Sequence, residues 1–473
     1  MDPATMSVSS SSQETIAAVA TAVAAGQGGI AVIRLSGPVA EAVGRSVVSV
    51  PGQQLWDSHR VLYGHVMDES GKERIDEVLL LVMKAPRSFT GEDVVEIHCH
   101  GGLIAVQRVL ERVLSQPDVR RAMPGEFSQR AVLNGRLDLT QAEAISDLVA
   151  ARSRRAAQLA MTGVDGGIQR RINSLRERLL DQLSELEARV DFEDDLPPLD
   201  GSVVLAELSD VRNQLHQLVA DGERGALLQQ GLRVALVGRP NVGKSSLLNR
   251  LSRRERAIVT ELPGTTRDLL ESEIVLEGVP ITLLDTAGIR TTEDALEQLG
   301  IARSHEALAA ADVVVLVFDL TQGWTDADAA LLAQIPVDVS RLIVANKADV
   351  RPAQANAKAN AERGGLLDSI APDVILSALT GDGEEELIQA VLKACGASEA
   401  QGLVVALNQR QRDLAALAAA ALARSQEVAE HQLPWDFWTI DLRQAIHCLG
   451  EITGEEITEA VLDRIFSRFC IGK

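Results

Sequence analysis

The stretch "GRPNVGKSS", Gly238 to Ser246, follows the apolar run "VALVG" and precedes "SLLNRLS". It fits G-x-x-x-x-G-K-S set between a strand and a helix. Each residue type has a use there. Asn241, Val242, Gly243 and Ser246 bring backbone N–H groups to phosphate oxygens, and the glycines keep a Cβ out of the way. Lys244 puts a point charge at the β/γ-phosphates and Ser245 offers a hydroxyl to Mg²⁺. The helix N-terminus adds its dipole. Taken alone, the stretch could still be a glycine-rich turn with a surface lysine.

Three later motifs argue against that reading. "DTAG" (Asp285, Thr286, Ala287, Gly288) ends the next apolar strand, where Asp285 can order Mg²⁺ through water. Between the two motifs, "PGTTRD" carries Thr265 and Thr266, hydroxyls able to complete a Mg²⁺ shell. "NKAD" (Asn346, Lys347, Ala348, Asp349) ends a further strand. Asp349 can accept from the ring N–H and exocyclic amino group of guanine, a pattern that adenine lacks. "SAL" (Ser377, Ala378, Leu379) falls where backbone N–H groups can meet guanine O6. The ordered set reads as a GTP-binding domain.

Hydrolysis needs a positioned water. In Ras-type switches the residue after D-T-A-G is a glutamine that orients it. Here it is Ile289, which cannot. A degenerate nucleotide-binding module is one reading. The other is that a different group positions water and a cation replaces the arginine finger. Asn241 and the long switch "AIVTELPGTTRD" suggest oxygens for a monovalent cation. Glu293, Asp294 and Glu297, beyond the turn, are acidic groups that could reach water, and the residues themselves do not choose among them.

The chain that must position these groups has 473 residues, enough for two or three domains. Its composition, 46% hydrophobic with 3% aromatic residues, favours helices packed on helices. A net charge of −21 argues against a nucleic-acid coat or an anionic-membrane binder, though a local basic groove is compatible with it. Four scattered cysteines give no disulfide framework and suggest a reducing cytoplasm. No apolar run approaches the roughly 18–20 residues that span a bilayer. The opening "MDPATM" reads as an added leader with Met6 the natural start, and nothing there reads as a secretory signal.

Five segments follow from texture. Residues 1–13 are leader and flexible start. Residues 14–134 mix β-like runs ("GGIAVIRLSG", "DEVLLLVMKAP", "DVVEIHCHGG") with turns, as in a compact α/β domain. Residues 135–230 are helical, interrupted by "DFEDDLPPLDG". Residues 231–396 alternate apolar strands with helices, the pattern of a parallel sheet with crossovers, and 397–473 are helical again. The economical fold is an α/β domain inserted into a helical domain. "HCH" at His98–His100 tempts a zinc reading, but on a strand the cysteine faces away from both histidines and no second ligand pair lies nearby.

These segments, with "SFTGEDVVEIHCHGG", "PGEFSQRAVLNGRLDLTQAEAI" and the final "FCIGK", resemble the MnmE/TrmE family of tRNA-modification GTPases from about Glu14 to Lys473. The resemblance implies a multidomain α/β plus all-α molecule. Its parts would be an amino-terminal tetrahydrofolate-binding and dimerisation domain, a discontinuous helical domain and an inserted, Ras-like G domain. It implies GTP contacts through residues 241–246, Thr260, Glu261, Leu262, Pro263, Gly264, Thr265, Thr266, 285–288, 346–349 and 377–379. K⁺ would be held by Asn241 and by oxygens of Thr260, Leu262 and Thr265, and Mg²⁺ by Ser245 and Thr266. Glu297 would orient water. Arg34, Glu96, Arg136 and Lys473 would bind a 5-formyl- or 5,10-methylene-tetrahydrofolate.

The resemblance further implies a cytoplasmic homodimer working with a flavoprotein, MnmG/GidA, on the wobble uridine of certain tRNAs. G domains would pair across their nucleotide faces. Two departures stand out: Arg136 replaces a frequent lysine, and "AVAAGQ" with Gln27 replaces a Pro-Pro-Gly-Arg run. Cys470 would lie near the one-carbon chemistry as a catalytic thiol or as a positional residue. Gly472 and Lys473 spoil a prenylation signal. The rival expectation is a GTPase switch acting on RNA or ribosomes without folate chemistry.

Overall fold

The computed structural model describes residues 14–24, 26, 28–191, 200–253, 271–285, 308, 310–350, 371–431 and 434–472. Outside the described residues lie Gln27, Thr260, Glu261, Leu262, Pro263, Gly264, Thr265, Thr266, Thr286, Ala287, Gly288, Ile289, Glu293, Asp294, Glu297 and Lys473, along with 192–199 of the acidic stretch. The chain forms two compact units, Met1–Ser146 with Gly450–Lys473, and Asp147–Leu449.

The first unit is built on β1 (Thr15–Val19), β2 (Ile30–Ser36), α1 (Ala40–Val47), β3 (Val48–Ser49), β4 (Arg60–Met67), β5 (Arg74–Met83), β6 (Val94–His100), α2 (Leu103–Leu114), β7 (Val119–Arg121) and α3 (Glu126–Leu133). The seven strands run in the order β3-β4-β5-β6-β2-β1-β7, and only β1 and β7 pair in parallel. Period-2 alternation decides which side is core. Ala31, Ile33 and Leu35 of β2 and Val78, Leu80 and Val82 of β5 are buried, and α1 and α2 bring Val43, Val47, Val106, Val109 and Val113 to the same core.

The other face carries Val32, Arg34, Tyr63, Leu79, Leu81, Glu96 and His98, which the cross-strand register places side by side. The sequence reading did not single out β4, because Gly64 interrupts its run. A Cβ on Gly64 would sit 2.7 Å from Val48 Cγ1 and 2.9 Å from the Ser49 carbonyl, so the neighbouring edge strand accepts only glycine there. The carboxyl-terminal helix Glu459–Phe466 docks Leu462 and Phe466 on Leu139 and Ala142, at the start of α4 (Leu139–Ala150).

The second unit opens with α5 (Arg154–Val164), α6 (Gly167–Asp191) and α7 (Gly201–Gln230). Its strands and their helices follow: β8 (Leu232–Val237), α8 (Lys244–Leu251), β9 (Glu271–Leu276), β10 (Val279–Asp285), β11 (Val313–Asp319), α9 (Asp326–Leu332), β12 (Ser340–Asn346), β13 (Val374–Ile375) and α10 (Glu384–Ala394). Then α11 (Gln409–Glu430) and α12 (Trp435–Thr453) complete it. The Ala-rich α11 is core: Ala415, Ala418, Ala419, Ala421 and Leu422 are buried. It lies against α7, where Gly225 faces Ala406 and Gly222 faces Arg412 too closely to accept a Cβ.

The six strands run β13-β12-β11-β8-β10-β9. The expected parallel sheet with crossovers is present, and the structure adds an antiparallel strand at one edge. β9 is antiparallel to β10, joined through Glu277 (φ 50°) and Gly278 (φ 83°). Two successive left-handed residues make the turn that matches strand twist, so a hairpin replaces a crossover. Every residue of β11 is buried, as a strand covered on both faces must be. Chain order reverses on either side of β8, which opens a crevice at the carboxyl ends of the strands. Among the described residues no helix is long and apolar enough to cross a membrane.

Candidate nucleotide site and a second site on the amino-terminal sheet

The phosphate loop leaves β8 at Gly238 and enters α8 at Lys244. Asn241 (φ 63°) and Gly243 (φ 104°) both take left-handed backbone. A Cβ on Gly238 would strike the Val317 carbonyl, and one on Gly243 would strike Asn346 Nδ2. The loop therefore requires glycine for room as well as conformation. Lys244 is buried, its ammonium donating to the Gly238 and Arg239 carbonyls at 2.6 and 2.8 Å. Arg239 is tied down by the wholly buried Asp328 at 2.8 Å and by Gln322 at 3.1 Å.

Asn346 ends β12 and joins the loops. Its Nδ2 donates to the Val242 carbonyl (2.8 Å), its Oδ1 accepts from the Ala378 N–H (2.9 Å), and its carbonyl accepts from the Leu320 N–H (2.9 Å). Lys347 (φ 70°) reaches 2.7 Å to Asp319 Oδ2 at the end of β11. Burial pushes the Asp319 carboxyl up, but bonds from Lys347 and Thr321 outweigh it and hold the group below the ordinary carboxylate range. Ser377 Oγ donates to Asp349 Oδ1 at 2.6 Å, fixing the carboxylate expected to read guanine. Because Ala378 N–H is taken by Asn346, the backbone donor of "SAL" left for a purine oxygen is Leu379 N–H, which has no partner among the described residues.

Residues 241–246, 346–349 and 377–379 thus converge at one sheet edge. Asp285 ends β10 there, paired with Leu236 of β8. The backbone cradle and buried ammonium fit the phosphates of a nucleotide, and Ser245, one position into α8, fits a Mg²⁺ hydroxyl ligand. Of the expected K⁺ ligands only Asn241 is described, and its left-handed backbone puts it at the bend of the loop. Arg239, Asp319, Asp328 and Arg250 were missed by the sequence reading, although a carboxylate ending the apolar β11 was a visible signal.

A second candidate site lies on the open face of the first unit's sheet. Arg34 and Glu96 are directly opposed on β2 and β6, with Nε to Oε1 at 2.8 Å. The guanidinium carbon stands 5.4 and 5.6 Å from the ring centroids of Phe89 and Phe127, and one terminal nitrogen reaches the Gly472 carbonyl at 3.5 Å. His98 Nε2 is sealed from solvent 3.5 Å from Glu96 Oε2, without hydrogen-bond geometry. A Cβ on Gly472 (φ 93°) would strike the Val19 carbonyl and Ala20, while the Gly125 N–H donates to the Cys470 carbonyl at 3.2 Å.

The chain's tail is thereby brought to Arg34. Cys470, two residues before Gly472, is exposed. Arg136 is exposed in the turn after α3, and no side-chain contact joins it to Arg34 or Glu96 among the described residues. Cys99 faces the core, where burial first and then the Asp76 charge push its thiol up to about 11, so it stays protonated and is a poor metal ligand.

The loop set on its switch-point sheet defines a Ras-like P-loop GTPase domain, here in a chain that also carries a helical domain and an amino-terminal α/β domain. The family description "GTP-binding protein TrmE N-terminus" matches residues 15–136, and "MnmE helical domain" matches 139–470. A "tRNA modification GTPase MnmE" of Prochlorococcus marinus (strain MIT 9313) is 83% identical over 98% of both chains. One of Synechococcus sp. (strain CC9605) is 75% identical over 98% of this chain and 100% of its own. The chain belongs to the family of MnmE tRNA modification GTPases, and it is a GTP hydrolase.

Proposed function

We propose that this GTPase acts with the flavoprotein MnmG/GidA to add an aminomethyl or carboxymethylaminomethyl group at C5 of the wobble uridine of certain tRNAs. A tetrahydrofolate supplies the one-carbon unit. K⁺ supplies positive charge against the β- and γ-phosphates in place of an arginine finger. The observation that carries the folate reading is the Arg34–Glu96 pair with the carboxyl-terminal tail drawn onto it. A pterin presents the same amino-pyrimidinone edge as guanine. Glu96 accepts from that edge, Phe89 and the buried Phe127 back the Arg34 guanidinium, and Arg34 with Lys473 meets an anionic ligand. Cys470, two residues before Gly472, is exposed, and Arg136 is assigned an outer contact.

In the G domain, Lys244 and the loop N–H groups bind phosphate, and Ser245 and Thr266 hold Mg²⁺. Asn241 with Thr260, Leu262 and Thr265 holds K⁺, and Glu297 orients water. Asp349 and Leu379 read the base. The homodimer of the reading is supported by the apolar sheet face, where Val61 (60% exposed), Tyr63 and Leu79 lie open to solvent. We place the protein in the cytoplasm, with tRNA as substrate.

Mass spectrometry of wobble nucleosides after deletion of the gene tests the reading, and unchanged modification overturns it. Turnover in KCl against NaCl tests the cation: equal, negligible rates remove it. A Glu297→Ala variant is expected to bind GTP and not hydrolyse it. Retained modification in Cys470→Ser reduces that thiol to a positional residue. A switch acting on RNA without folate chemistry would leave the full chain unable to bind tetrahydrofolate at high micromolar concentration.

A further inference from the structure

We propose that Arg250 is a positioning residue for guanine selection, tying the phosphate-binding helix to the base-reading loop. It sits in the last turn of α8, whose first residue is Lys244. All three guanidinium nitrogens are engaged. Nε donates to Glu384 Oε2 at 2.7 Å, one terminal nitrogen to the Leu379 carbonyl at 3.1 Å, and the other to the Thr380 carbonyl at 3.0 Å. Glu384, the first residue of α10, is buried. Gly381 (φ 96°) lies so close that a Cβ would strike the guanidinium.

A planar fork that meets two successive carbonyls and a carboxylate suits arginine and not lysine. The consequence lies in the loop between the anchors. Ala378 N–H is held by Asn346, and the Leu379 carbonyl is held by Arg250. The one peptide between those two atoms carries the Leu379 N–H. Asn346 fixes one side of that peptide and Arg250 the other, so the donor keeps its aim only while both hold. The proposal rests on the reading of "SAL" as the guanine O6 contact.

The test measures affinities of the full-length protein for GDP, 6-thio-GDP and IDP. 6-Thio-GDP replaces only O6 with a poorer acceptor, whereas IDP lacks only the 2-amino group facing Asp349. The unaltered protein is expected to prefer GDP over both. In Arg250→Ala the preference over 6-thio-GDP narrows by up to about tenfold, the size of one neutral backbone hydrogen bond. The preference over IDP stays within about twofold, since Asp349 keeps Ser377. If both preferences change alike, or neither does, the proposal is overturned. If the unaltered protein does not separate GDP from 6-thio-GDP, the O6 reading falls first and this proposal with it. Should Arg250→Ala fail to fold, Arg250→Lys carries the test, with a narrowing smaller than tenfold but measurable expected and no narrowing overturning it.

Discussion

The two sheets of this molecule build sites by different means. The mostly parallel sheet of the second unit places its candidate site at the strand ends, in loops whose backbone N–H and C=O groups face the crevice. Side chains such as Asn346 and Arg250 serve there to hold backbone in place. The mainly antiparallel sheet of the first unit places its candidate site on a face. Arg34, Glu96 and His98 project from paired strands, and the chain's far end closes on them. A site made of backbone tolerates few changes of shape. A site made of side chains on a rigid ladder tolerates changes of shape and fails through changes of chemistry.

That contrast can be broken in four places. The largest effect is expected from Gly243→Ala, which adds a Cβ at φ 104° against Asn346. Strain and clash of about 3 kcal/mol should weaken GDP binding about 100-fold in a fluorescence titration, with folate binding untouched. Glu96→Gln should do the reverse. Loss of one charged acceptor should weaken tetrahydrofolate about 10- to 100-fold by calorimetry while GDP affinity holds. A GDP defect in that variant would end the contrast.

Asp319→Asn removes the buried charge opposite Lys347 and should lower stability by about 2 kcal/mol in urea unfolding. Because the folded Asp319 pKa is depressed, that contribution is present above the unfolded carboxyl value. It disappears as pH falls through the lower, folded value. The gap between the two proteins should stay constant from neutral pH to mildly acid pH and close below it. The smallest effect is expected from Gly472→Ala, about 1 kcal/mol of tail docking, read as weaker folate binding with little change in unfolding.

Legibility in the sequence follows the same division. The strand-end site was readable because its geometry is local. Gly238, Gly243, Lys244 and Ser245 lie within one turn of chain, and the spacing itself states the chemistry. Five of the six strands of that sheet were visible as apolar runs, but β9 was not. Its antiparallel course depends on two left-handed residues, Glu277 and Gly278, and glutamate is not a residue that announces such a turn. The candidate site on the sheet face was suggested only by family resemblance. Arg34 and Glu96 are 62 residues apart, and the Gly472 contact spans 438. No periodicity brings them together. Phe89, Phe127 and His98 joined the site only in three dimensions. Arg250 escaped notice because an arginine in an amphipathic helix looks like any solvated charge.

Asn346 has a further consequence. Through two side-chain atoms and one carbonyl it binds the phosphate loop, the segment after β11 and the base-reading loop at once. Three loops with a common fastener cannot open independently, since freeing one leaves the others short of a partner in a buried place. Their conformational entropy is surrendered together when β12 is laid into the sheet, before any nucleotide arrives. Amide protons of Leu320 and Ala378 should therefore exchange with deuterium through one shared opening, slow and cooperative, instead of fraying as surface loops do.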